Sequence, residues 1–256
     1  MTKCSRVIDF FEQLAPRELT EYWDNTGLLV GNRHANVNRI LVCLDVTSAS
    51  VNEAIAKKAD LIVTHHPVIF KELKSLNEDD TKGKLLYSLV KNGIGVYSAH
   101  TNLDYADAGV NTQLALTLGI RNVEVMGNGP GKCGVLEQRM KLDDFLDHVQ
   151  KGLKTPFLKV VGHADAGVGK VAVFGGSFDD DLGVVIDSGA DVIVTGDVKY
   201  HTAIDAIEAG LCIVDAGHFN TESVVLPYIA DQLAGKFPDV EVLLFDDEKD
   251  PFRAVY

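Results

Sequence analysis

Apolar residues in this chain cluster in short unbroken runs instead of alternating with polar ones. The runs are 39–44, 61–64, 94–98, 160–162, 171–174, 192–195, 212–215 and 240–245, rich in Val, Ile and Leu. Short continuous runs are the pattern of strands buried on both faces. Helical spacing fills several gaps between them. Ser48 is placed to cap a helix carrying Val51, Ala54 and Ile55, and 82–91 carries Leu85, Leu86 and Leu89. The segment 203–209 ends at Gly210, a helix stop, and 221–233 carries Val224, Val225, Ile229 and Leu233, with Pro227 near its first turns. Strands alternating with helices predict an α/β fold with layered mixed sheets.

The pattern occurs twice. Asn38-Arg39-Ile40-Leu41-Val42 and Ala59-Asp60-Leu61-Ile62-Val63-Thr64 are matched by Gly169-Lys170-Val171-Ala172-Val173 and Ala190-Asp191-Val192-Ile193-Val194-Thr195, at an offset of 131 residues in both places. Further on, His100-Thr101-Asn102-Leu103-Asp104 is echoed by His218-Phe219-Asn220-Thr221-Glu222 at an offset of 118. Two pseudo-repeated α/β lobes follow, 1–126 and 127–256, joined at the glycine-rich segment 127–131. A duplicated half-domain closing on itself would bring the loop ends of the two copies together, which puts the expected site at strand ends between the lobes.

Those loop ends carry the candidate chemistry. His65 and His66 leave the first-copy strand just before Pro67, where an open α/β sheet presents its binding loops. Adjacent imidazoles leaving a strand diverge, so each can serve a different ion. Asp104 and Glu222 each lie four residues after a histidine. A carboxylate there can bridge two cations about 3.5–4 Å apart, or can simply favour a helix N-terminus. His218 follows a glycine that allows close approach. His100 is its first-copy equivalent, open to ligation but better suited to proton transfer. His201 is left open between a pocket and the surface, and His34, His148 and His163 join no constellation. Histidine with carboxylate and no thiolate suits zinc, iron or manganese.

Composition narrows the function classes. The 256 residues are 46% hydrophobic and 24% charged, with a formal net charge of -13 and a pI near 5.0. That balance argues against a broad nucleic-acid-binding face or an anionic membrane surface. Ions can still supply local positive charge for a small anionic ligand. Cys4, Cys43, Cys133 and Cys212 lack any paired spacing and read as small buried hydrophobes. The amphipathic N-terminus (Val7, Phe10, Phe11 and Leu14 among charged residues) lacks the apolar run of a signal peptide, and no stretch reaches membrane-spanning length. A cytoplasmic protein is expected. The glycine pattern from Gly129 to Gly134 matches a dinucleotide fingerprint, but extended chain at Val135-Leu136 follows it, with the next helix expected only near Leu142.

Asp24-Asn25-Thr26-Gly27-Leu28, Thr64-His65-His66-Pro67, the segments 98–104 and 217–222, and Thr195-Gly196-Asp197 together resemble the NIF-three-like family, the GTP cyclohydrolase I type-two homologs. The likeness spans essentially the whole chain. It implies a homohexameric toroid of α/β subunits with a dinuclear metal centre, whose ligands fall on His65, His66, Asp104, His218 and Glu222, with Asp104 as a bridge. All five are present. The length matches family members without an inserted domain. The expectation is therefore a cytoplasmic protein with two divalent ions per chain, hydrolysing a nucleotide-like small molecule, with His100 shuttling a proton. The alternative is a non-enzymatic, metal-dependent regulatory or binding protein.

Overall fold

The computed structural model describes residues 1–178 and 182–253. It is a mixed α/β fold with a five-stranded and a six-stranded sheet, plus a two-stranded ribbon of Thr2–Lys3 and Asn36–Val37. The chain divides into two compact units. One comprises Met1–Ala106 and Leu226–Glu248, and the other begins with Asp107–Val225 and resumes at Lys249. This division differs from the expected cut between 126 and 127. The strand Arg121–Val125 pairs with Lys132–Lys141 in the second sheet, and Glu241–Leu244 pairs with Arg39–Cys43 in the first. Pairing in space, rather than the glycine-rich joint, decides which unit owns each segment.

The first unit's sheet runs Glu241–Leu244, Arg39–Cys43, Leu61–Thr64, Gly95–Ser98 and Gly27–Val30, with only the last strand antiparallel to its neighbour. Helices Ser48–Ala56 and Thr81–Lys91 supply Val51, Ala54, Leu86 and Leu89 to a core with Leu41, Ile62 and Val96. Thr47, one residue before the expected cap, makes the capping box with Ser50. The amphipathic N-terminal segment is the helix Cys4–Leu14, and Phe11 stacks on Tyr97 of the sheet at 4.7 Å. Both faces are covered, which is why these strands read as unbroken apolar runs.

The second unit's sheet runs Arg121–Val125, Lys132–Lys141, Gly167–Ser177, Val192–Gly196, Cys212–Asp215 and Lys159–Val161. Phe145 and Val149 of helix Leu142–Leu153 and Leu114 of helix Val110–Thr117 pack with Val171, Val173, Val192 and Val194. Ala172, Ile193 and Ile213 face the opposite way, against Val185 and Ala206. The Gly129 to Gly134 segment runs into the long strand Lys132–Lys141 and not into a helix, so it carries no dinucleotide fingerprint. The expected helix 221–233 is two, His218–Glu222 and Val225–Lys236. The break falls where the chain leaves the second unit for the first.

The repeat in sequence is a repeat in register. Ile40 pairs with Leu61, and Val171, at the matching offset, pairs with Val192. In each sheet a run of parallel strands, four in the first and three in the second, ends at an antiparallel edge strand, Gly27–Val30 in one and Lys159–Val161 in the other. Asp60 Oδ2 accepts from the amides of Asn38 and Arg39 at 2.7 and 3.0 Å. Asp191 Oδ2 accepts from Gly169 and Lys170 at 2.8 and 2.9 Å. The same aspartate thus ties the start of one parallel strand to the next in both copies. Burial pushes the Asp191 carboxyl up, but the two amides and Arg139 outweigh it and hold it below the usual carboxylate value. Among the described residues no helix is long and apolar enough to cross a membrane, and all four cysteines are buried and free.

The Asp191 clamp yields a test. Asp191→Ala removes the acceptor of two amides and should lower the unfolding free energy by about 1–3 kcal/mol at neutral pH. A carboxyl held low in the fold contributes above its ordinary pKa and loses that contribution as pH falls through the folded value. The gap between variant and wild type in denaturant titrations should therefore close in acid. A gap constant down to pH values below the usual carboxylate range would refute the assignment.

Candidate metal centre

In the first unit, the Leu61–Thr64 strand ends at His65 and His66, and the Gly95–Ser98 strand leads through Ala99 to His100. The rings gather closely, with centroids 5.0 Å apart for His65 and His66, 5.1 Å for His65 and His100, and 5.5 Å for His66 and His100. One ring nitrogen from each lies within 4.8 Å of the others, a spacing that could hold a metal ion. His65 is fully buried. Asp104, in the short helix Thr101–Tyr105, presents Oδ1 3.6 Å from His65 Nε2.

Each imidazole is fixed through its other nitrogen. His65 Nδ1 lies 2.8 Å from the Ala99 carbonyl, which can only accept, so Nδ1 carries the hydrogen. His66 Nδ1 lies 2.9 Å from Asp45 Oδ1, and His100 Nδ1 lies 2.9 Å from Asp24 Oδ1. Asp24 Oδ2 also accepts from the Thr101 amide at 3.1 Å and its hydroxyl at 2.6 Å. Burial pushes the Asp24 carboxyl up, yet the hydrogen bonds from His100 and Thr101 prevail and hold it at about 2. Asp24 is therefore an anion that accepts a hydrogen bond from His100 Nδ1–H, and Nε2 of the ring is left with the free lone pair. Imidazoles that ligate metals are oriented in this way by carbonyls and carboxylates.

The second unit repeats the device with different residues. His218 Nδ1 lies 2.9 Å from Asp197 Oδ2, and its Nε2 faces Glu222 Oε2 at 3.0 Å, one turn along the same helix. Glu222 is buried. A nitrogen lone pair and a carboxylate oxygen at that distance require a proton or a cation between them. Glycines keep the space open. A Cβ at Gly176 would collide with Glu222 Oε1 and stand 3.3 Å from His218 Nε2, and one at Gly196 would stand 2.6 Å from the His218 amide nitrogen. Gly217 adds one residue between strand and histidine relative to the first copy, at φ +88°.

The structure thus brings His65, His66 and His100 together, sets Asp104 against His65, and sets Glu222 against His218. His201 is exposed on the helix Tyr200–Ala209, and His148 is tied to the Leu118 carbonyl at 2.8 Å. Of the orienting carboxylates, Asp24 and Asp197 entered the sequence reading only as members of the family motifs, and Asp45 did not enter it at all. Offset 131 would have flagged two of these positions, since it matches Asp45 to Gly176 and His66 to Asp197, each beside a candidate ligand of its own unit. The acidic run Asp246-Asp247-Glu248, which reads as a solvated end, is not wholly solvated. Glu248 Oε2 accepts from the Leu44 amide at 2.9 Å, and burial pushes its carboxyl up to about 7. The donor set, imidazole and carboxylate with each ring oriented, fits a divalent cation.

The family model for Duf34/NIF3 (NGG1p interacting factor 3) matches residues 2–251. A Clostridium perfringens protein named "GTP cyclohydrolase 1 type 2 homolog" is 35% identical over 261 residues, covering 99% of this chain and 100% of that one. A Bacillus cereus protein related to NIF3 has the same fold, with a TM-score of 0.95 at 29% identity, covering 100% of this chain and 99% of that one. A Staphylococcus aureus hypothetical protein gives a TM-score of 0.94 at 28% identity, covering 99% of each chain. With that extent of matching, the chain belongs to the Duf34/NIF3 family.

Proposed function

We propose that this protein holds two divalent metal ions, zinc, iron or manganese, and is a cytoplasmic hydrolase of a nucleotide-like small molecule. His65, His66, Asp104, His218 and Glu222, drawn from both halves of the chain, would hold them, with Asp104 the carboxylate that the family resemblance would assign to both ions. The observation that carries the reading is the uniform anchoring of ring Nδ1 atoms on oxygen, which leaves Nε2 as the donor atom in every candidate histidine. Divalent ions supply Lewis acidity and an acidified water. His100, held by anionic Asp24, accepts a proton at Nε2 and returns it to the leaving group, the work of a base near neutral pH. The relatives' shared name, a GTP cyclohydrolase homolog, supports a nucleotide-like substrate. The family resemblance supports a homohexamer. The family's description as an interacting factor supports the non-enzymatic reading as the contrasting outcome.

Two experiments follow. Gly176→Ala places a methyl against Glu222 and should weaken metal binding about 10- to 100-fold in chelator competition, the range seen when a ligand's support is disturbed. Its far-ultraviolet dichroism should stay unchanged, whereas wild-type affinity would remove Glu222 from the ligand set. For catalysis, metal-loaded protein should turn over at least one member of a panel of nucleotides, phosphoesters and cyclic amides. Asp24→Asn should retain metal but lose about 100- to 10,000-fold in kcat, the scale of general acid–base catalysis. Tight nucleotide binding with no turnover across the panel would favour the binding-protein reading.

A further inference from the structure

Beside the three imidazoles, the first unit leaves aromatic surface open to solvent. Trp23 and Phe70 are 49% and 48% exposed. Their rings meet edge to face, with centroids 5.9 Å apart and planes at 70°. Phe70 stands 6.2 Å from the His100 ring at 84°, and Trp23 stands 6.3 Å from it at 77°. The three rings are mutually close to perpendicular, and both half-exposed aromatics border the histidine that Asp24 orients. The segments carrying them are fixed to each other and to the site. Asn25 Nδ2 donates to the Ile69 carbonyl at 2.6 Å, and Asp24, next to Trp23, receives the three hydrogen bonds from His100 and Thr101. Half-exposed aromatics held this firmly offer a preorganised flat surface at little further entropic cost.

We propose that Trp23 and Phe70 form a stacking subsite for the planar heteroaromatic ring of the substrate, of nucleobase size, and hold it beside His100. The inference rests on the reading that the neighbouring histidines are the reacting centre, and it names the substrate class which that centre takes. Aromatic side chains bind bases by stacking because every base has a π-face. Perpendicular aromatic rings also hold quaternary cations. A cation would be repelled by the divalent ions proposed next to it, whereas a neutral base carrying a phosphate would not.

Trp23 is the chain's single tryptophan, so fluorescence excited at the red edge, where tyrosine does not absorb, reports on this subsite alone. The intact protein, with its metal content measured on the same sample, is titrated with guanosine monophosphate. Ribose phosphate serves as the ringless control and choline as the cation control. The expected result is a saturable change in Trp23 emission with the nucleotide and none with ribose phosphate or choline. Phe70→Ala should weaken the response roughly 5- to 100-fold, and Phe70→Tyr should restore it. A metal-loaded protein with no saturable response, a response indifferent to Phe70→Ala, or saturation by choline instead would overturn the subsite. So would a Phe70→Ala variant that changes oligomeric state while binding nucleotide normally, since the patch would then be a contact between copies. A Phe70-dependent response in protein that neither contains nor takes up zinc, manganese or iron would uphold the subsite and remove the metal-centre reading.

Discussion

Four hydrogen bonds from ring Nδ1 to oxygen govern what the candidate histidines of the two units can do. An unrestrained imidazole has two interchangeable nitrogens and a rotating ring, and three of them within 4.8 Å would otherwise spread into solvent. Here the Ala99 carbonyl and the carboxylates of Asp45, Asp24 and Asp197 each fix one ring and one tautomer. The sheets exist, for function, to deliver those oxygens. Asp45 follows the Arg39–Cys43 strand, Ala99 follows Gly95–Ser98, and Asp197 follows Val192–Gly196. Parallel strands in fixed register put successive strand ends at one edge, so donors and the oxygens that orient them arrive together.

The duplication explains both the economy of this arrangement and its asymmetry. The two sheets share register, edge strand and aspartate clamp, yet equivalent positions carry different groups. Where the first copy has His65 the second has Gly196, and a side chain there would strike the His218 backbone. The second copy inserts Gly217 and brings its histidine from the following helix, with Glu222 one turn on. One scaffold thus yields a three-histidine cluster in one unit and a histidine–carboxylate pair in the other.

Much of this was legible in the sequence. The apolar runs marked the central strands because burial on both faces leaves no alternation to obscure them, and the repeat located the loop ends that carry the histidines. Other features were hidden for physical reasons. The long strand Lys132–Lys141 carries polar residues along its outer half, so it lacks an apolar run. The assignment of Glu241–Leu244 to the first unit depends on long-range pairing that no local pattern encodes. Asp24 stood in a family motif and Asp45 in none, and neither role could be read from the sequence, because their importance lies in which ring they face. Glu248 read as a solvated tail residue and instead meets the Leu44 amide.

The central claim is that oriented imidazoles and carboxylates from both halves of the chain hold a pair of ions. Elemental analysis of unsupplemented protein by mass spectrometry, with His65→Ala and Glu222→Ala alongside, tests it most directly. The account predicts about two equivalents of divalent metal per chain, as in paired-metal sites, and loss of metal in each variant. Metal well below one equivalent in the wild type, unchanged by either substitution and not restored by zinc, manganese or iron, would contradict it.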